Sequence, residues 1–160
     1  MTIAVGDRIP EATVATFKDG IQTHSTRDLL GKGKVVVFAV PGAFTPTCSN
    51  KHLPGYIQHM DDFRQRGVEV FCLSVNDAFV MDAWGKERGI PTTLHMLADG
   101  NAAFVRALGL ELDGTKNGMG IRAKRFAMYL EDGLVKVLNV EAPGEFRVSA
   151  AEAMLEAIDG

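Results

Sequence analysis

Two apolar segments in the first half of the chain have the pattern of strands that are buried on both faces of a sheet. Residues 35–40 are six consecutive apolar residues, four of them valine, and they lie between Gly33-Lys34 and Pro41. Residues 68–75 are a second, mostly apolar segment that follows Gly67. Runs of this length without polar alternation are typical of central strands. The pattern predicts two neighbouring strands in the middle of a sheet.

The segments that follow these strands have helical patterns. Residues 46–66 predict a helix with Thr45 as its N-cap and Pro46 as its first residue. Pro54 cannot donate a hydrogen bond to the carbonyl of Asn50, so a kink is expected there. Further helices are predicted over residues 78–88 after the cap Asn76-Asp77 and over 102–108. A final helix, capped by Ser149, should hold Ala153, Leu155 and Ile158. The order strand, helix, strand, helix implies parallel pairing.

The remaining segments predict additions to this α/β core. Turn residues at 18–20 follow the apolar residues 12–17 and indicate an N-terminal hairpin, with a short helical step near 26–30. Residues 95–98 predict a short strand. The apolar segments 126–130 and 134–138 enclose Glu131-Asp132-Gly133, which predicts a second hairpin. Residues 109–120 contain four glycines and little periodicity, so we interpret them as a loop.

Composition limits the class of protein. The chain has 160 residues, and 46% of them are hydrophobic. This is enough for a single domain over residues 1–160 whose core needs no stabilising metal or disulfide. The net charge is −3 with interspersed signs, which argues against nucleic-acid binding. The first residues lack a secretion signal and no apolar run has membrane-spanning length. We expect a cytoplasmic protein without a cofactor or metal.

The chemistry is predicted at Cys48, in the first turn of the helix that begins at Pro46. Unpaired N–H groups and the helix dipole favour an anion there, and a thiolate is the reactive form of cysteine. Only a few per cent of free cysteine is ionised at neutral pH, so full ionisation increases reactivity by at most about thirtyfold. Cys72 lies mid-strand between apolar neighbours, and we interpret it as a buried, inert thiol. Neither cysteine has the spacing of a metal site or of a C-x-x-C motif.

The residues around Cys48 resemble those of a known family. Pro41, Thr45 and Cys48 match the P-x-x-x-T-x-x-C motif of peroxiredoxins. The sequence segments 41–49, 52–55, 73–77 and 124–128 resemble those of the type-5 (D-type, type II) class and occur in the expected order along the chain. The resemblance implies a thioredoxin-like fold with a central mixed β-sheet flanked by helices and an N-terminal β extension. It also implies reduction of hydrogen peroxide and alkyl hydroperoxides, often by a homodimer.

The resemblance also implies a role for each matching residue. Cys48 would attack the peroxide and become a sulfenic acid. Thr45 would hydrogen-bond the peroxide, Pro41 would shield the site from water, and Arg125 would stabilise the thiolate and the leaving oxygen. Ionisation alone gains little, so a fast peroxidase needs donors aimed at the breaking O–O bond, each worth about 2.7–4 kcal/mol.

Each of these residues also has a plainer interpretation. A lone cysteine is most often a small core residue. Thr45 fits a helix cap, and Pro41 fits the end of a strand. Arg125 fits a surface ion pair, and Arg122 and Lys124 compete with it for the cationic role. For His52, one turn after Cys48, hydrogen bonding at the site and a structural role are equally supported.

The resemblance has one informative departure. Some members of the family carry a resolving cysteine near the C-terminus, whereas the matching residues 145–149 contain none. The predicted reductant is therefore an external thiol, with glutathione, alone or with glutaredoxin, favoured over thioredoxin. A thiol–disulfide oxidoreductase is disfavoured because Lys51 stands where a second C-x-x-C cysteine would be. A peroxide-sensing or holdase module of the same fold remains the alternative.

Overall fold

A computed structural model describes residues 1–160, which form nine strands and six α-helices. The strands are β1 (Thr13–Phe17), β2 (Ile21–Ser25), β3 (Lys34–Ala39), β4 (Val68–Ser74), β5 (Leu94–Ala98), β6 (Glu111–Asp113), β7 (Ile121–Ala123), β8 (Phe126–Glu131) and β9 (Leu134–Val140). The helices are α1 (Thr26–Leu30), α2 (Leu53–Gln58), α3 (Met60–Gln65), α4 (Ala78–Arg88), α5 (Ala103–Leu108) and α6 (Ala151–Asp159). No helix has the length and apolarity needed to cross a bilayer.

Seven strands form one mixed sheet in the order β2-β1-β5-β4-β3-β8-β9. Strand β3 lies inside it, parallel to β4 on one side and antiparallel to β8 on the other. Val35 and Val37 pack into the core on one face, and Val36 and Phe38 pack into the core on the other. The prediction that β3 is central and buried on both faces is confirmed, and so is the mixed sheet flanked by helices.

Both predicted hairpins are present. Strands β1 and β2 pair through a turn in which Asp19 and Gly20 have positive φ angles of 54° and 129°. Strands β8 and β9 pair around Asp132 and Gly133, which also have positive φ. Such angles are tolerated best by glycine and by aspartate, whose side chain can form local hydrogen bonds.

The helix predicted over residues 46–66 is broken into parts. It begins at Pro46, widens into a π turn over Cys48–His52, continues as α2, and is interrupted at His59 before α3. The N–H of Leu53 donates to the carbonyl of Cys48, five residues earlier. Pro54 comes directly after this turn and has no N–H to offer. The irregularity expected near Pro54 is a π turn on its N-terminal side.

Two details of the sequence-based interpretation were wrong. Residues 109–120 are not a plain loop, because β6 lies within them, followed by a 3₁₀ turn at Thr115–Asn117, and β6 pairs with β7 in a small second sheet. Ser149 does not cap the last helix, whose N-cap is Ala150. The Ser149 hydroxyl donates to the Glu141 carboxylate instead.

Candidate active site

The sheet register brings the predicted site residues to one end of β3. The chain leaves β3 through Val40, whose N–H donates to the carbonyl of Leu73 in β4. On the other side, Ala39 pairs with Phe126, so Arg125 lies beside the segment that leads to Cys48. Residues 77 positions apart in sequence therefore meet across one strand pair.

Cys48 is fully buried, and one hydrogen bond reaches its sulfur. The Nη2 group of Arg125 donates to Sγ at 3.1 Å. A guanidinium keeps its proton at accessible pH, so this contact places a permanent positive charge beside the sulfur. Of the three basic residues that compete by sequence, Arg125 is the one that reaches Cys48. The Arg122 side chain donates instead to the carbonyls of Met119 and Val75.

The second arm of Arg125 contacts His52. Its Nη1 group lies 2.8 Å from Nδ1 of the imidazole, and Nε2 of His52 lies 3.0 Å from the carbonyl of Ser149. Arginine only donates, so Nδ1 accepts and the ring proton is on Nε2. Burial, with the nearby Arg125 charge, lowers the pKa of His52 from 6.5 to about 3. His52 is therefore a neutral ring that joins Arg125 to the C-terminal part of the chain.

Aromatic rings enclose this pair. The His52 ring packs against Phe38 and Phe146, with both ring centroids 5.0 Å away. The guanidinium carbon of Arg125 lies 5.9 Å from the centroid of Phe146. Apolar walls strengthen the electrostatic contacts between Arg125, His52 and Cys48, because they keep water away from them.

The loop between β3 and the helix is tightly specified. The Thr45 hydroxyl donates to the carbonyl of Gly42 at 2.7 Å rather than accepting from a helix N–H. A Cβ on Gly42 would lie 3.2 Å from Cγ2 of Thr45 and 3.3 Å from Nη1 of Arg122, so a larger residue would require both side chains to shift by a few tenths of an ångström. Phe44 has φ of 64°, an unfavourable angle for a side chain of its size, and its ring is 52% exposed. Pro41, which ends the β3 segment, is half-buried beside this loop.

A cavity of about 280 Å³ opens beside the site, and its wall includes Pro41, Thr47, Lys124, Arg125 and Glu141. A larger cleft of about 890 Å³ lies between the β1–β2 hairpin and α4. That cleft contains none of the residues that surround Cys48, so size alone does not identify the reaction site. No group of three or more His, Cys, Asp or Glu side chains is arranged to hold a metal ion.

Cys72 lies in β4 in the same hydrophobic cluster as Cys48, fully buried and unbonded to another cysteine. Burial raises the pKa of the Cys72 thiol well above its usual value, and a charge on Cys48 raises it further. A thiol in this environment stays protonated at neutral pH. The predicted burial of Cys72 is confirmed, and its lack of reactivity stays a prediction.

Sequence reasoning missed Glu141, Ser149 and Tyr56 and left the role of His52 open. The Tyr56 hydroxyl donates to the Ser149 carbonyl at 2.8 Å, beside the imidazole. Ser149 is 97 residues from His52, and its contact is made by a backbone carbonyl. A main-chain acceptor carries no side-chain signature, so no local pattern could have indicated it.

Comparison with known proteins places the chain in a family. Residues 4–155 match the Redoxin family. Peroxiredoxin-2B of Arabidopsis thaliana is 48% identical over 159 residues, which are 98% of each chain. The crystal structure of reduced Prx3 from Vibrio vulnificus in complex with H₂O₂ has 48% identity and a TM-score of 0.94, and the match covers 99% of this chain and 97% of that chain. Peroxiredoxin 5 from Alvinella pompejana has 35% identity and a TM-score of 0.87 over 98% of each chain.

The fold is the thioredoxin-like fold of the peroxiredoxins. The chain belongs to the Redoxin family, and within it to the peroxiredoxins, which are oxidoreductases that reduce peroxides.

The neutral state of His52 predicts a pH dependence of stability. Between pH 6.5 and about pH 3 the unfolded chain binds a proton at His52 that the folded protein does not bind. The free energy of unfolding should therefore fall as pH falls through this window, by up to about 1.4 kcal/mol per pH unit from this group. Urea denaturation between pH 4 and 7 measures the slope.

The control is His52→Gln, because a glutamine amide can also accept from Arg125 and donate to Ser149 but does not titrate. We expect its slope to be smaller than that of the wild type across the window. Equal slopes for the two proteins would show that His52 is not held neutral by the fold.

Proposed function

We propose that Cys48 is the peroxidatic cysteine of a type-5 peroxiredoxin that reduces hydrogen peroxide and alkyl hydroperoxides. The observation that carries this proposal is the 3.1 Å contact from Arg125 Nη2 to Cys48 Sγ at the end of β3. The type-5 assignment is supported by the sequence segments 41–49 and 124–128 and by the similarity to peroxiredoxin 5 from Alvinella pompejana. The H₂O₂ complex of the related Prx3 supports the substrate class.

The proposed first step is attack by the Cys48 thiolate on one oxygen of the peroxide. The S–O bond forms as the O–O bond breaks, so the sulfur is oxidised to a sulfenic acid and the peroxide is reduced. The leaving oxygen takes a proton and departs as water or an alcohol. Negative charge moves from sulfur to the leaving oxygen, and a fixed Arg125 guanidinium stabilises it at both positions without reorganisation.

Thr45 and Pro41 have supporting roles in this proposal. The Thr45 hydroxyl gives its own hydrogen to the Gly42 carbonyl, so its oxygen remains free to accept from an O–H of the peroxide. Pro41 forms part of the wall of the cavity beside Arg125 and offers no N–H, so it excludes water without competing for the peroxide. These contacts would orient the O–O bond toward the sulfur.

We further infer that the sulfenic acid is recycled by an external thiol, with glutathione, alone or with glutaredoxin, favoured over thioredoxin. The neighbouring residues 145–149 contain no cysteine, and Cys72 lies inside the sheet as a protonated thiol. Glutathione would form a mixed disulfide with Cys48 and release water. A second thiol would then reduce that disulfide and restore the Cys48 thiol.

Recycling requires the site to open. Cys48 has no exposed surface in the closed structure, so a thiol as large as glutathione cannot reach it. The π turn at Cys48–His52 is the weak part of the helix, because its hydrogen bonds are irregular and Pro54 contributes none. We propose that this turn unwinds after oxidation and exposes the sulfur.

We also propose that the protein is a cytoplasmic homodimer. The resemblance to type-5 peroxiredoxins supports the assembly, and two exposed aromatic rings, Phe44 and Phe79, are candidates for its interface. Two free cysteines without a disulfide are compatible with a reducing compartment.

Cys48→Ser should abolish peroxidase turnover, because a serine hydroxyl does not take the place of a thiolate as nucleophile for the peroxide. Cys72→Ser should keep turnover, since Cys72 takes no part in the proposed steps. Peroxide consumption in the presence of glutathione and glutaredoxin measures both. Activity that survives Cys48→Ser would disprove the assignment of the nucleophile.

Arg125→Lys should slow oxidation of Cys48 by about 10²–10³-fold, because a lysine ammonium lacks the planar pair of N–H groups with which arginine donates to Sγ and to His52 at the same time. Rapid-mixing measurement of Cys48 oxidation gives the rate. The matched control is Arg122→Lys, which should change the rate by only about twofold because Arg122 contacts the Met119 and Val75 carbonyls. Similar losses in the two variants would argue against a specific role for Arg125.

The reductant can be identified by intact mass. After one equivalent of hydrogen peroxide, reduced protein should gain one oxygen at Cys48, and added glutathione should convert this to a glutathione adduct. Cys48→Ser is the control and should gain neither. Loss of two hydrogens would indicate a disulfide between Cys48 and Cys72 and would contradict external recycling. Stoichiometric oxidation without turnover, with any of glutathione, glutaredoxin or thioredoxin, would favour the sensor or holdase alternative.

A further inference from the structure

The carboxylate of Glu141, directly after β9, organises the backbone that follows it. Its Oε2 atom accepts three hydrogen bonds, from the Arg147 N–H at 2.7 Å, the Ser149 N–H at 2.8 Å and the Ser149 hydroxyl at 2.6 Å. Glu141 is buried, and its own N–H donates to the carbonyl of Arg125 at 2.9 Å. Residues 141–149 are thus closed into a ring that is attached to the backbone of Arg125.

This ring aims the Ser149 carbonyl at the buried side of the site. The carbonyl accepts from Nε2 of His52 at 3.0 Å and from the hydroxyl of Tyr56 at 2.8 Å, so both of its lone pairs are used. Burial by itself would raise the pKa of Glu141, but the hydrogen bonds from Ser149 and Arg147 outweigh it and hold that pKa below its usual value. The carboxylate that fixes the carbonyl is therefore charged at neutral pH.

The Ser149 carbonyl and Arg125 together determine which nitrogen of His52 carries the proton. A carbonyl at Nε2 requires a hydrogen there, which leaves the Nδ1 lone pair free for Arg125. If the carbonyl moved away, the tautomer with hydrogen on Nδ1 would become accessible. Its N–H would then face the Nη1 donor of Arg125, now 2.8 Å away, and the two donors would repel each other.

We propose that Glu141 is a positioning residue for the oxidation of Cys48: through the Ser149 backbone it holds His52 in the Nε2–H tautomer and so keeps the Arg125 guanidinium on the sulfur. The inference rests on the proposed roles of Cys48 and Arg125. It extends the site to an acid that touches neither the sulfur nor the arginine side chain in the structure. Outer groups that orient contacting residues change activity by about 10–100-fold in metal sites, and the same logic applies to an oriented guanidinium.

A plainer role for Glu141 is to close its own loop. In that case its loss would lower stability without changing the reaction at Cys48. Two readouts separate the roles. One is the tautomer of His52, which ¹⁵N chemical shifts of the imidazole report. The other is the rate of Cys48 oxidation in a single turnover with hydrogen peroxide, measured by rapid quench and intact mass and followed in parallel through Trp84 fluorescence.

Trp84 is a suitable reporter because it is the only tryptophan and lies beside the reacting residue. Its indole N–H donates to the hydroxyl of Ser49 at 2.9 Å, one position after Cys48.

Glu141→Ala should slow Cys48 oxidation by about tenfold or more and should shift the His52 signals toward the Nδ1–H tautomer. Glu141→Gln keeps an acceptor oxygen of the same reach, so it should restore most of the rate and the Nε2–H tautomer. The matched control is Glu152→Ala. Glu152 pairs with His59 at 2.9 Å on the surface of α6 and should change the rate by only about twofold.

If Glu141→Ala does not fold, Glu141→Asp provides the test, because its charge is kept while the carboxylate is one methylene shorter. It should also be slower and show the tautomer shift. Lower melting temperatures with an unchanged rate and an unchanged His52 tautomer would overturn the inference and leave Glu141 a loop-closing residue. Failure of the wild-type protein to be oxidised at Cys48 would instead overturn the proposed function itself.

Discussion

The site depends on one physical constraint: the half-buried guanidinium of Arg125 needs acceptors on the apolar side of the sheet. A cation that is taken out of water without partners is costly, so each N–H that faces inward must be satisfied. Cys48 Sγ accepts from one arm and His52 Nδ1 accepts from the other. The contact at Nδ1 requires a neutral imidazole, so the protonation state of His52 follows from the need to satisfy one arginine.

The mixed sheet brings Arg125 and Cys48 together. The loop that leads to Cys48 follows the C-terminal end of β3, and the antiparallel partner β8 begins at the same end with Arg125 just before it. A parallel neighbour in that position would start at the opposite end of β3 and would place the arginine far from the sulfur. The antiparallel register of β3 and β8, which positions Ala39 against Phe126, therefore determines the distance from arginine to sulfur as much as the motif around Cys48 does.

Burial of Cys48 has opposite effects on the two halves of the proposed cycle. A dry pocket strengthens the contacts of Arg125 while the peroxide reacts, but the same pocket excludes a reducing thiol. The irregular turn at Cys48–His52 contains the residue that must be shielded during oxidation and exposed during reduction. Two hydrogen bonds fix this turn in the structure: His52 donates to the Ser149 carbonyl, and Trp84 donates to the Ser49 hydroxyl. A helix with one weak turn can be closed for chemistry and opened for recycling without disturbing the rest of the sheet.

Local pattern determined the strands, most of the helices, the two hairpins and the position of Cys48 in the first turn of a helix, because apolar periodicity, caps and turn residues act over a few positions. The site roles of Pro41, Thr45 and Arg125 came only from the family resemblance, and by chemistry alone Arg122 and Lys124 would fit as well as Arg125. Tertiary structure alone decided which cation reaches the sulfur, that His52 is neutral, and that Ser149 bonds Glu141 rather than capping α6. These outcomes depend on strand register and on backbone carbonyls distant in sequence, which compete with local preferences and carry no side-chain signal of their own.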